Sequence, residues 1–276
     1  MFRSLGALIR ATLDREVVAI DGKTNRGSFD RSRDQAALHV VSAWASDRGL
    51  VLGQRQVGDK SNEITAIPEL LDVLDIKGAI VTLDAMGCQR AIAAKILERG
   101  ADYLVTLKAN QGEKHSAVEE LCATTCFSRS PTYRPVHDEF DDGHGRLVGR
   151  RVFVCPDAVA LETLRDWPGL KSVLAVETIR GVNGSGKIEP EILAKAIRQH
   201  WQIENSLHWV LDVTFNEDHY RIRDRNAVQN FSLLRKIVIN LVRRHQASKV
   251  SLKGRRKMAA WDNRYMEQIL TGIFHA

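Results

Sequence analysis

A chain of 276 residues, 44% of them hydrophobic, can bury one large core or two smaller ones, which excludes a disordered chain. Its apolar runs are too short to span a bilayer, and charge breaks the N-terminal MFRSLGALIRATLDRE before it forms a secretory core, so a cytoplasmic protein without a membrane partner is expected. The net charge of +6 is uneven: from His219 onward thirteen Lys and Arg face Asp224, Asp262 and Glu267, a net of +10, leaving −4 for the first 218 residues. These charges alternate with Tyr220, Phe231, Trp261 and Tyr265 in helix-like segments, the pattern of a folded surface for a polyanion such as DNA or RNA. The four cysteines show no CxxC pair. Cys122 and Cys126 could share a metal, but nothing near them in sequence completes four ligands.

In chain order, residues 1–15 read as a short helix or linker, and EVVAIDGKT is a near-continuous apolar run reaching Asp21, the mark of a strand buried on both faces. ALHVVSAWA and LVLGQRQVG, joined by SDRG, predict a hairpin. SNEITAIPELLDVLD starts on a Ser or Asn cap and has helical spacing. GAIVTLD predicts a second buried strand ending in Asp84. CQRAIAAKILERG predicts an amphipathic helix stopped by Gly100, and DYLVTLK a further strand. Strand, strand, strand, helix, strand, helix, strand predicts an antiparallel meander extended by parallel pairing, an α/β mixed sheet flanked by helices.

Beyond it, EKHSAVEELCATT predicts a helix, FDDGHGR a turn between strands, and KSVLAVETI a strand. The predicted division is a core over 16–108, an insertion over 109–188, a return to the core over 189–245 with a basic helix, and a basic tail over 246–276.

EILAKAIRQHWQIENSLHWVL, taken at 100° per residue, places Leu193, Ile197, His200, Trp201, Glu204, Leu207, His208 and Leu211 on one apolar stripe. Glu204 then lies mid-face, where a carboxylate needs a partner. Asp21 and Asp84 end two buried strands, and the carboxyl ends of parallel strands are where ligands gather. Each Asp alone is equally well read as a turn residue. With Glu204 they form an oxygen-donor set for Mg²⁺ or Mn²⁺, and two such ions about 4 Å apart serve phosphodiester chemistry. His200 and His208 stand eight residues apart, roughly 12 Å along a helix, too far to share one ion. Each His reads either as a polar edge of the packed face or as a phosphate contact. Trp44, Trp201 and Trp209 are expected in the core rather than against bases.

IDGKT followed by RGS, KSNEITAIPELL, VTLDAMGCQ, LKANQG and HWQIENSLHWVLDVTFNED resemble the H-repeat-associated group of bacterial insertion-sequence transposases over nearly the whole chain. The resemblance implies a ribonuclease H-like core, with a β-rich insertion before the last catalytic helix, carrying the Asp, Asp, Glu triad of the DDE transposases. By matching positions the triad is Asp21, Asp84 and Glu204, holding Mg²⁺ or Mn²⁺ as two ions. It implies metal-dependent cleavage at the 3′ ends of the element and strand transfer into target DNA. Double-stranded DNA is the partner, a homodimer the expected assembly on it, and the nucleoid the place of work.

Lys23, Lys108, Asn110, Gln111, His200, Asn205 and His208 are the residues expected to hold strands near the metals, and Arg221, Arg223 and Arg225 to grip the phosphate backbone. Three departures from the group stand out. Only about twenty residues precede Asp21, which reads as an N-terminal truncation. VNGSGKIEP is short where the group has another strand, and Asn25 stands where it has Leu. Two other readings share the core: a catalytically inactive DNA-binding remnant, and a nuclease that cuts without end specificity.

Overall fold

The computed structural model describes Leu13 and residues 15–58, 61–128, 131–141, 147–181, 199–245 and 249–271. The predicted linker at the N-terminus, apart from Leu13 and Arg15, falls outside them, as do the VNGSGKIEP segment, most of the FDDGHGR turn, and Leu193 and Ile197 of the apolar stripe. The chain divides into two compact units, one of residues 1–104 with 199–276 and one of residues 105–198.

The first unit is built on a five-stranded sheet. β1 (Val17–Asn25), β2 (Leu38–Ala45) and β3 (Leu50–Gln56) form the antiparallel meander, and α1 (Glu63–Val73) leads to β4 (Ile80–Leu83). α2 (Arg90–Glu98) and β5 (Asp102–Val105) follow, giving the spatial order β3-β2-β1-β4-β5. β4 pairs parallel to β1. This is the ribonuclease H-like arrangement: a meander continued on one side by helix-linked strands. β1 is central, and its Val17, Val18, Ala19 and Ile20 are all at most 1% exposed, as a continuous apolar run requires in a strand covered on both faces.

The two covers can be read from adjacent residues of β3, whose side chains point to opposite faces. A Cβ on Gly53 would stand 3.0 Å from Leu74 and 3.4 Å from Leu70, so the glycine lets α1 lie close to the sheet. From Gln54 the side-chain oxygen accepts a 2.6 Å hydrogen bond from Lys236 Nζ on α5 (Arg225–Arg244), on the other side, where the short α4 (Trp209–Val213) also packs.

On that second face Ala19, Trp44 and Val51 of the sheet pack with Ile203, Leu207, Val210, Leu211, Phe215 and Ile239. α6 (Leu252–Trp261) and α7 (Asn263–Thr271) are ordered helices within the segment read as a basic tail, and Tyr265 and Ile269 pack on Val242 of α5.

The second unit carries α3 (Glu113–Thr125) and a three-stranded antiparallel sheet, β6 (His137–Asp141), β7 (Leu147–Cys155) and β8 (Val173–Gly181). Its core joins Val118, Cys122 and Cys126 to Phe153, Cys155, Leu164 and Ala175. Cys122 and Cys126 thus meet a third thiol from β7, a neighbour that their own spacing does not disclose.

Candidate active site

The register of β1 and β4 sets the site. Their ladder ends with Ile20 opposite Leu83, and the next residue on each strand is an acid, Asp21 and Asp84. β1 does not stop at Asp21 but runs to Asn25 along β2, where Asp21 is opposite Ser42. Asp84 follows the last residue of β4, and its Oδ1 accepts from the backbone N–H of Met86 at 2.9 Å and of Gly87 at 3.3 Å. Both natures that the sequence allowed for Asp84 therefore coincide: it forms the turn and stands at the carboxyl end of a parallel strand.

Glu204 comes from the opposite layer. The segment Ile203–His208 is a π turn, continued by α4 (Trp209–Val213), and π turns inserted in helices recur at functional sites. Ile203, Leu207, Val210 and Leu211 seat it on Ala19 and Trp44, which fixes the turn above β1. Two expectations are overturned here. Glu204 is not in the middle of the buried face: its side chain is 56% exposed. Trp201 and Trp209 are exposed at 64% and 57%, and of these three tryptophans Trp44 alone lies in the core. A stripe drawn at 100° per residue assumes α spacing, and the wider turn takes Glu204 off the packed face.

The desolvated acid of the site is Asp21. Burial, with the negative charges of Glu63, Asp84 and Glu204 added, raises its pKa from 3.8 to about 7 against the opposing hydrogen bond from the Gly22 N–H. His208 is 4% exposed, and its Nδ1 lies 3.2 Å from Glu204 Oε2 and 3.6 Å from Asp21 Oδ2. Burial lowers its pKa to about 4, against the attraction of Glu204, so the ring is neutral at pH 7. Its Nε2 is buried and has no hydrogen-bond partner among the described residues. His208, read from the sequence as a polar edge of the packed face or a phosphate contact, is buried beside the two acids.

One ligand atom each from Asp21, Glu204 and His208 lies within 4.8 Å of the other two. Two carboxylates and a neutral imidazole are a donor set that fits a divalent cation, and a cation there would offset the charge that raises Asp21. Asp84 is near enough to act on Asp21 electrostatically and has carboxylate capacity left beyond its turn hydrogen bonds.

The remaining expected residues divide by location. Lys23 is largely buried and held by Asp212 at 2.7 Å and Asp218 at 3.7 Å, so its charge is taken within the fold. His200 Nδ1 pairs with Thr82 Oγ1 on β4 at 2.9 Å. Asn205 is exposed on the π turn beside Glu204. Arg221 is exposed; Arg223 is half exposed, 3.8 Å from Asp30; and Arg225 donates to the Ala36 carbonyl at 3.0 Å. Lys108, Asn110 and Gln111 belong to the second unit, around the turn Ala109–Gln111. Glu63 and His39 escaped the sequence reading, because SNEIT reads fully as a helix cap and the hairpin hides which residues of β2 border Asp21.

Residues 12–241 match the family model of the transposase DDE domain. The fold thus has a class: the chain belongs to the DDE transposase domain family. Within that class it is a member of the H repeat-associated group. It is 42% identical over 279 residues to the H repeat-associated putative transposase YhhI of Escherichia coli (strain K12), covering 94% of this chain and 72% of that protein. The putative protein YbfL of the same strain shows the same identity and coverage. The H repeat-associated putative transposase YbfD is 48% identical over 145 residues, 51% of this chain and 55% of its own. A solved piggyBac transposase synaptic complex with hairpin DNA aligns over 94% of this chain with a TM-score of 0.48 and 11% identity; this chain spans 52% of that one.

Proposed function

We propose that this chain is a metal-dependent DNA transposase whose catalytic acids are Asp21, Asp84 and Glu204. The observation that carries the reading is the meeting of Asp21 and Glu204, from opposite layers of a DDE transposase domain, within ligand distance of one another and of neutral His208. Asp21 and Asp84 would hold divalent cations, Mg²⁺ or Mn²⁺, with Glu204 completing the set. Such ions, when bound, activate a water or a 3′-hydroxyl and stabilise the leaving oxygen at phosphorus.

The chain's own residues do the rest. Asp84 is held by its two backbone N–H donors and presents a fixed carboxylate. Glu204, exposed at the mouth of the site, can meet both cation and DNA. His208, neutral at pH 7, sets no competing positive charge beside the acids and would offer a ring nitrogen to a cation. Asn205, Arg221 and Arg223, all exposed, are assigned to the phosphate backbone. Lys108, Asn110 and Gln111 of the second unit are assigned the same task, and a homodimer on paired ends is part of the proposal.

The test is cleavage of labelled DNA carrying the element's ends, with Mn²⁺ or with EDTA. Wild type should cut only with metal and then join the 3′ end to target DNA. Glu204→Ala should lower the rate by a factor of about 10³ or more, the scale expected for a group that acts at the transition state. Its stability should change by less than about 0.5 kcal/mol, because the side chain is on the surface. Salt-sensitive binding without cutting by folded wild type contradicts the reading and leaves an inactive remnant; cutting without joining or end preference leaves a nuclease.

A further inference from the structure

Beside the triad, the structure places a fourth acid that neither motif nor spacing marks. α1 begins at Glu63, with Asn62 Oδ1 accepting from the Ile64 N–H at 3.1 Å. Its carboxylate lies directly against the backbone of Gly22, the residue after Asp21. A Cβ at Gly22 would stand 2.1 Å from Glu63 Oε1 and 2.6 Å from His39 Nε2, so only glycine leaves room for this pair. The requirement is local, because Gly22 has no positive φ.

His39, on β2, fixes the carboxylate. Its Nε2 lies 2.7 Å from Glu63 Oε1 and its Nδ1 2.7 Å from Thr24 Oγ1 on β1. Glu63 is 15% exposed, and one of its oxygens takes the imidazole. A carboxylate used only as a helix N-terminal charge needs neither a glycine-sized gap nor an imidazole clamp.

We propose that Glu63 is a further carboxylate of the divalent-cation centre, oriented by His39 and admitted by Gly22. The centre is then drawn from β1, the turn after β4, the π turn and the start of α1. His39 is a positioning residue, acting through Glu63. The inference rests on the metal-dependent reading of Asp21, Asp84 and Glu204, and goes beyond it in adding a ligand from α1.

The experiment is Mn²⁺ titration into the full chain, with free Mn²⁺ followed by electron paramagnetic resonance and folding checked by circular dichroism. Four variants are compared with wild type: Asp21→Asn, Glu63→Gln, Gly22→Ala and, as a control, Glu69→Gln, an exposed acid of the same helix paired with Arg55. Glu63→Gln keeps an oxygen for His39 and removes only the charge, so a purely structural Glu63 tolerates it. The expected result is a tenfold or greater loss of Mn²⁺ affinity in Glu63→Gln and in Gly22→Ala, which displaces the carboxylate without deleting it. Glu69→Gln should change by less than twofold. Should Glu63→Gln not fold, Gly22→Ala carries the comparison alone. Wild-type affinity in the folded Glu63 variant, together with loss in Asp21→Asn, overturns the role of Glu63 and leaves the triad standing. If wild type binds no more tightly than Asp21→Asn, both readings fall.

Discussion

At the residue scale, Asp21 is where structure and chemistry are most tightly joined. Its carboxyl is raised to about 7 by burial and by the acids around it. A cation must displace the proton that remains, so Mn²⁺ affinity is expected to rise with pH between about 4 and 7 and to level off above. The same shift sets a stability trend. Between its unfolded value near 4 and about 7, the folded state holds the extra proton, so the metal-free protein loses stability from this group as pH rises through that window. His208 acts oppositely: its folded pKa of about 4 lies below 6.5, so its contribution is full above about 6.5 and is lost as pH falls toward 4. Isothermal titration with Mn²⁺ at pH 5.5 and 7.5 checks the first expectation. Equal affinity at both values would show that Asp21 does not ionise on binding.

Asp21 and Asp84 were legible as residues because each closes an apolar run that only a doubly covered strand explains. Lys23 was not. Its partners Asp212 and Asp218 come from the far end of the chain, and no local pattern shows a cation already neutralised within the fold.

At the scale of elements, the meander, the two helix-linked strands and α5 follow from local periodicity, as their apolar faces are regular. The π turn does not, because its extra residue leaves composition unchanged and alters only the angle at which successive side chains leave the axis. That single irregularity moves Glu204 from an expected buried face to solvent. The contrast between tryptophans is measurable. Trp44, 1% exposed and covered by the Arg243 guanidinium at 4.6 Å, should cost about 3–5 kcal/mol when replaced by alanine. Trp209→Ala should cost less than about 1 kcal/mol, since more than half of the residue is already in water. Urea unfolding of both variants decides the matter, and comparable losses would place Trp209 in the core after all.

At the scale of the whole molecule, the C-terminal excess of positive charge divides into internal and external parts. Arg235 is paired with Glu217 at 3.2 Å, Lys236 is buried against Gln54, and Arg255 donates to the carbonyls of Val242 and His245 at 2.7 Å. Arg243 and Arg256 cover Trp44 and Phe215. These cations hold α5 and α6 in place and are poorly available to phosphate. Arg221, Arg223, Arg244, Lys249, Lys253, Lys257 and Arg264 remain exposed. Charge counting detects an excess but cannot separate these roles, because both kinds of cation occur in the same helical segments.

If about five of the exposed cations contact phosphate, DNA affinity should fall by about 10²–10³-fold between 50 and 200 mM salt. Arg221→Ala combined with Arg223→Ala should make the logarithmic salt slope shallower by about 2. Fluorescence anisotropy over a salt series measures it, and an unchanged slope would remove both arginines from the interface. Among the described residues no helix is long and apolar enough to cross a membrane.

The central claim is that acids from both layers of the first unit hold divalent cations. A crystal of the protein soaked in Mn²⁺ and measured at a wavelength where manganese scatters anomalously tests it most directly. The account predicts an anomalous peak bonded to carboxylate oxygens of Asp21 and Glu204, with Asp84 facing the same centre. Manganese bound elsewhere with these acids bare, or a peak that persists in Asp21→Asn, would contradict it.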